Sequence, residues 1–443
     1  MTDKLVTPPT TTTPAGVEPE APFARIGIAR PLRIRDFRLL WTGLTVSLIG
    51  DGLYVVAIAW QAYELSNVPT AFSLVSVAWS LPMVIFLLVG GVVSDRFERR
   101  LVLIASDVIR GVAIAAMGAL ALTGVMELWH LVALAALYGI GQALFGPAFG
   151  AIVPDIVPTD DLVQANSLDN FVRPLGERLA GPALGGVIVA TWGAGWAFML
   201  DAATFVVSAL VIWMMTRRPV PERASEASVF SEVAEGLRFV RTQPWLWATL
   251  GAASISLLFV LGPFEVLVPF LIKNELNGDA SDVGFVFAAG GLGAVVAAFL
   301  MGQRGLPRKH ILFLYIGFAG GVSLMWPYAF LTTTWQAALV EFFAWGCWAA
   351  SLVVWSTLMH RLVPTALLGR VTSLDWLVSI SLTPISFALV GPVSEAIGLD
   401  ATFIWSGILG GIGVMAFLLV PGVRDTERDG SIHPIAEAVP AAD

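Results

Sequence analysis

The sequence predicts an all-α integral membrane protein of twelve transmembrane helices, arranged as two six-helix bundles in parallel repeat. Three observations carry this. At 57% hydrophobic and 13% charged residues, with a mean hydropathy of +0.80, a soluble domain of 443 residues could not hide its apolar surface. Crossing the hydrocarbon core takes about 20 apolar residues, and runs of that kind centre near Val46, Val84, Ile114, Leu137, Val187, Val207, Phe259, Val295, Ile316, Ala344, Leu382 and Gly410. Finally, Val157-Pro-Thr-Asp-Asp-Leu-Val-Gln-Ala-Asn-Ser-Leu-Asp169 returns ungapped, 206 residues on, as Val363-Pro-Thr-Ala-Leu-Leu-Gly-Arg-Val-Thr-Ser-Leu-Asp375, with seven of thirteen positions identical. A repeat at nearly half the length means two related halves in one orientation, which puts a transport site between them.

The elements follow in order. Residues 1–36 form an N-terminal tail and lead-in, whose first 24 residues, with Pro8-Pro9 and Pro14 around four threonines, hold too little apolar surface to fold. Residues 37–216 are the first bundle, and its first run is too long and too clearly followed by others for a cleaved signal peptide. Residues 217–244 are a linker in which Phe230, Val233, Leu237 and Phe239-Val240 recur at helical spacing, as in an amphipathic surface helix. Residues 245–420 are the second bundle and 421–443 a second tail, disordered from 425 on.

Orientation comes from the basic residues. All but two of the 25 fall before the first segment, after even-numbered segments or in the linker, among them Arg96, Arg99, Arg100, Arg173, Arg178, Arg304, Arg308 and Arg370. Lys273 lies on the other side and Arg110 within the third segment. That bias predicts both termini in the cytoplasm and a multi-pass protein of the plasma (inner) membrane. The net charge of −8 therefore speaks for no nucleic-acid partner. The single Cys347 excludes an internal disulfide or a multi-cysteine metal site and reads as a small packing residue.

Between the second and third segments stands Gly90-Gly-Val-Val-Ser-Asp95-Arg96-Phe-Glu-Arg99-Arg100. Glycine allows close helix approach, the aspartate accepts donors at a helix N-terminus, and the arginines anchor the turn or pair with acids across a gate. Taken singly, the arginines also fit a plain basic loop. The whole string resembles the signature of the major facilitator superfamily, with Glu98 where that family usually has glycine. The second-half counterpart, Gly302-Gln-Arg304-Gly-Leu-Pro-Arg308-Lys309, keeps the bases and lacks the acid.

On the fifth segment, Gly181-Pro182-Ala-Leu-Gly185-Gly186 gives a bendable helix with a smooth face, for sliding or for plain packing. Its core resembles the antiporter motif of superfamily exporters, whose fuller form has glycine where Glu177 stands. With Val153-Pro-Asp155, Leu162-Val-Gln-Ala-Asn166, Arg173-Pro174, Asp201-Ala-Ala-Thr-Phe205, Leu40-Trp41 and Ser47-Leu-Ile-Gly-Asp51-Gly52, the likeness extends over roughly residues 35–420. It points to the bacterial drug and siderophore exporter branch, that of macrolide efflux and enterobactin export proteins. The resemblance implies the major facilitator fold, alternating access, export of a small molecule in exchange for protons, and a monomer.

Ionisable groups inside membrane helices are costly and mark ion or substrate pathways. Asp51, about 20 Å into the first segment, is the first candidate for proton coupling, against a helix-packing role. Glu265, between Pro263 and Pro269, is the second, against an outer-gate role. Glu341 and Asp201 are expected to snorkel or pair, and Asp107 with Arg110, three residues apart, to pair with one another. Many proton-driven relatives in the superfamily carry an arginine in the fourth segment; Ala135-Ala-Leu-Tyr138-Gly139-Ile-Gly141-Gln142 has none.

The segments that line the cavity in that superfamily offer Gln61, Trp79, Gln142, Trp345, Trp348 and Trp355 and few fixed charges. The three tryptophans share one helical face, which suits stacking of an amphipathic ligand or contact with lipid. A drug, natural product or siderophore fits better than a sugar or phosphate. The chain holds no nucleotide-binding loop, so ATP hydrolysis is not expected, and no cofactor is expected. Uptake or uniport by the same fold is the alternative. A membrane enzyme would gather its histidines and acids at one face, whereas His130, His310, His360 and His433 are scattered; a sensor or scaffold would need a binding module that the tails lack.

Overall fold

Within a bilayer each backbone polar group must be satisfied inside the protein, and a helix does this locally. The computed structural model describes residues 27–218 and 229–428, and the regular elements among them are all helical. A short 3-10 lead-in, Gly27–Arg33, is held by an Arg30–Asp161 ion pair of 3.1 Å. The first half comprises α1 (Arg35–Leu65), α2 (Pro69–Arg96), α3 (Arg99–Leu122), α4 (Leu128–Ile156), α5 (residues 162–192) and α6 (Ala194–Trp213). The second comprises α7 (residues 244–274), α8 (Ala280–Arg304), α9 (His310–Ser323), α10 (Thr334–Leu362), α11 (residues 365–397) and α12 (Leu399–Ala416). A linker helix, Val229–Thr242, lies where helical spacing predicted one, and Glu235 ties it to Arg370 of α11 at 2.6 Å. The expected disordered segments at 1–24 and 429–443 lie outside the described residues. Residues 425–428, expected to be disordered, instead form a helical turn docked on α9 through Glu427 Oε1, which accepts from Leu312 N at 2.9 Å.

Eleven spans among the described residues are long and apolar enough to cross a membrane. The twelfth, α5, fails that test because its apolar part is only Gly181–Trp192; its first half carries Asp169, Arg173, Glu177 and Arg178. Arg173 and Arg178, expected after the fourth segment, instead lie within a helix. Helix α5 starts at Leu162 directly after the 157–161 turn, which carries Arg178 to mid-length.

The repeat seen in sequence recurs in conformation. Pro158 and Pro364 precede α5 and α11 with nearly equal dihedrals (φ −56, ψ 149 and φ −55, ψ 138). At the other ends of these helices, Gly193 (φ 87) and Gly398 (φ 93) alone join them to α6 and α12, a left-handed conformation that favours glycine. Proline also disrupts helices of both halves, by removing a backbone donor. Wide π turns run from Pro174 to Ala180 in α5 and from Pro263 to Leu267 in α7, and α11 breaks at Leu382 before Pro384.

The chain turns at two faces: a basic end, holding the 97–98, 157–161, 305–309 and 363–364 turns, and a far end. At the far end one hydrophobic core runs through both halves, from Tyr54, Tyr63 and Phe198 to Phe264, Phe287 and Phe403. Near the basic end each half has its own, Phe37 to Met215 in the first and Val240 to Val423 in the second. The halves are thus joined at the far end and parted toward the basic end.

Candidate transport site

The far end is closed by bonds between the halves. Tyr63 Oη donates to Val266 O at 2.6 Å, Lys273 Nζ to Tyr63 O at 2.7 Å, Asn67 Nδ2 to Asn274 Oδ1 at 2.6 Å, and Thr70 N to Glu395 Oε1 at 3.0 Å. Lys273 also lies 5.1 Å from the Trp60 ring centre, so the one base expected on this side serves the closure.

Helix α5 sits between α1 of its own half and α8 of the other. A Cβ at Gly181 would come 2.5 Å from Gly52 Cα, and one at Gly185 would come 3.0 Å from Leu53 Cα. One at Gly186 would lie 2.8 Å from Ala280 O and 2.9 Å from Gly284 Cα, across the interface. Pro182 is buried beside them, its carbonyl against Gly284. The motif read as a smooth face is therefore two surfaces, and Gly186 bears on the other half.

Below this seam a polar network fills the centre of the first half. Tyr138 of α4 donates its hydroxyl to Asp51 Oδ1 at 2.7 Å, Arg110 of α3 stands 3.9 Å from Asp51 Oδ2, and Arg110 bonds Asp107 at 2.6 Å, the pair expected from their spacing. Tyr54 stacks on Tyr138 at 4.7 Å, while Phe205 and Phe145 flank the Arg110 guanidinium at 4.5 and 4.7 Å. Arg110 thus brings from α3 the charge that α4 lacks. Asp201 is wholly buried rather than snorkelling, and its Oδ1 accepts from Thr204 Oγ1 at 3.1 Å. Asp107 Oδ2, Asp201 Oδ2 and Tyr54 Oη are buried without a hydrogen-bond partner among the described residues.

The second half contributes a matching group. Glu265 lies half-buried in the π turn of α7. Glu341, also buried rather than snorkelling, accepts from Tyr328 Oη at 2.6 Å. Arg178 of α5 reaches across, its guanidinium 3.6 Å from the centre of the Trp345 ring. The middle of the protein holds more charge than the few fixed charges expected, since α5 brings Glu177 and Arg178 into it.

The remaining candidates separate. Trp345 and Trp348 touch at 5.6 Å, whereas Trp355, nearer the basic end, is buried against Trp245 and donates to Asp375 at 2.9 Å; it does not join their stripe. Gln142 accepts from Trp79 Nε1 at 2.7 Å, and Gln61 is buried. In the basic-end motif, Gly90 packs on the Ala143 carbonyl. Arg99 pairs with Asp155, and Arg100 donates to Met215 O at 2.5 Å, so both bind within their own half. Asp95 and Arg96 are exposed, and Asp95 has no bonded partner among the described residues.

Comparison with known proteins agrees with this architecture. The model of the transmembrane secretion effector family matches residues 26–437. The chain is similar to the enterobactin exporter EntS of Citrobacter koseri (26% identical over 408 residues, 91% of this chain and 95% of that protein). It is also similar to the multidrug efflux pump Tap of Mycolicibacterium fortuitum (28% identical, 83% and 90% covered). Among solved structures, a bacterial homologue of the human lysosomal transporter Spinster, inward-facing and unoccupied, shares the fold with a TM-score of 0.63 at 14% identity, over 92% of this chain and 97% of that one. The chain belongs to the transmembrane secretion effector family of the major facilitator superfamily, whose members are transporters and not enzymes.

Proposed function

We propose that this transporter exports amphipathic organic molecules, a drug, natural product or siderophore, in exchange for protons, by alternating access and as a monomer. The observation that carries the mechanism is the asymmetry of the cores, one shared at the far end and two separate at the basic end. With the basic end cytoplasmic, as the arginine and lysine bias predicts, this is the state in which substrate enters from inside. The relatives named for enterobactin export and multidrug efflux support the direction. Asp51 is the proton site: its carboxylate lies mid-membrane between a tyrosine hydroxyl and an arginine, where gaining a proton changes what Arg110 is paired with.

Asp95, Arg96, Arg99 and Arg100 form the inner gate in this reading. Asp95 is unpaired while that end is open and meets the second half when it closes. Asp95→Asn is expected to abolish transport with folded protein still in the membrane; normal transport by that variant would remove the gate role. The function itself is tested by accumulation of dyes, macrolides and siderophores in cells with and without the gene. Lower accumulation that disappears with a protonophore is the expected result, and higher accumulation in cells carrying the gene would show uptake instead.

A further inference from the structure

We propose that Arg178 and Trp345 form an anion subsite, and that the molecule carried bears an acidic group beside a planar ring; this rests on the reading of the chain as a transporter of amphipathic molecules. A guanidinium keeps its charge in proteins and offers five N–H donors, and leaving it unpaired at mid-membrane is costly. The two central arginines differ in this respect. Arg110 is 3% exposed and bonded to Asp107, with Asp51 nearby. Arg178, half-buried, has neither a side-chain hydrogen bond nor an ion pair among the described residues. Its contact is with the face of Trp345, which leaves the N–H edge of the fork free.

The surroundings suit an aromatic ligand. Trp345 and Trp348, both half-buried and 5.6 Å apart, offer ring surface there, and Phe264 and Phe287, buried in the core, back Trp345 with the Phe264 ring at 5.5 Å. A planar ring packs edge-to-face or offset on such walls, and a carboxylate or phenolate beside it accepts the open fork with directional, charge-assisted bonds. Nearby acids compete for the same fork. Glu341 gives one oxygen to Tyr328, whereas Glu265, next to Phe264 whose ring lies 5.5 Å from Trp345, forms no ion pair with Arg178 among the described residues. Removing Glu265 and removing Arg178 should therefore have opposite effects, which simple damage to packing would not produce.

The test is equilibrium binding of pyrenebutyrate and its neutral analogue pyrenebutanol to the purified full chain in lipid nanodiscs, with empty nanodiscs subtracted. Wild type is expected to prefer the acid by about tenfold or more. Arg178→Gln should bring the ratio to about one, Arg178→Lys should keep part of it because charge remains without the planar fork, and Glu265→Gln should raise it. The ratio is the readout because general loss of structure lowers both affinities, and Glu265→Gln tests the subsite even if Arg178→Gln does not fold. Equal affinities in wild type, an acid preference that survives Arg178→Gln, or tighter binding of cationic pyrenylmethylamine would each overturn the subsite. Equilibrium binding does not depend on direction or gradient. A chain that exports a neutral dye without acid preference loses the subsite and keeps its proposed function, whereas one that prefers the acid but imports it loses only the direction.

Discussion

Asp51→Asn is expected to end concentrative transport while leaving movement of substrate down its own gradient. Asparagine fills the same space, and its carbonyl can still accept from Tyr138, whose bond to Asp51 is 2.7 Å. What it loses is the proton and the negative charge facing Arg110, which then has Asp107 as its remaining close acid. At zero membrane potential each pH unit is worth about 1.4 kcal/mol per proton, or about tenfold in substrate concentration for one proton exchanged. In vesicles with a two-unit gradient the accumulation ratio should therefore fall from about a hundredfold to about one. An unchanged ratio would move coupling to another acid within the spans, with Glu265 and Asp201 next in line.

Gly186→Leu should have the second large effect. Its new side chain would meet Ala280 O and Gly284 Cα, contacts that a Cβ alone already makes at 2.8 and 2.9 Å. Overpacking of this kind costs about 1–3 kcal/mol, and here it falls on the state in which the far end is closed. A penalty of that size shifts a two-state balance by roughly 5- to 150-fold, so turnover should drop at least about fivefold, and a cysteine at Ala62, buried in the far-end core, should become more reactive to a membrane-impermeant thiol reagent than the same Ala62→Cys in the parent. Gly185→Leu differs because its neighbour is Leu53 in the same half; it should disturb the first bundle without opening the far end. Equal thiol reactivity in Gly186→Leu and in the parent would show that the α5–α8 seam does not set the balance.

The fold was legible because the bilayer imposes simple rules. Length and apolarity located the spans, and the Val-Pro-Thr repeat located the two halves, down to the matched Pro158 and Pro364 turns. The site was legible in part. Spacing of three on one helix paired Asp107 with Arg110, and depth along α1 singled out Asp51. The bond from Tyr138 and the approach of Arg110 to Asp51 depend on how α1, α3 and α4 pack, which no local pattern records. Arg178 was misplaced for a physical reason: a basic residue reads as loop under a hydropathy rule, but α5 is shielded by α1 and α8 and faces the seam. The tryptophan stripe separated because a shared helical face does not fix depth or partner, and Asp375 holds Trp355 near the basic end.

Proton-driven export is tested most directly with the wild-type chain reconstituted in vesicles and sorted for the orientation with its basic end outward. Substrate should accumulate in the lumen against its gradient when the lumen is acidic, by about tenfold per pH unit for one proton exchanged, and the accumulation should vanish with a protonophore. Uptake that only equalises the two sides, whatever the pH difference, would contradict the account.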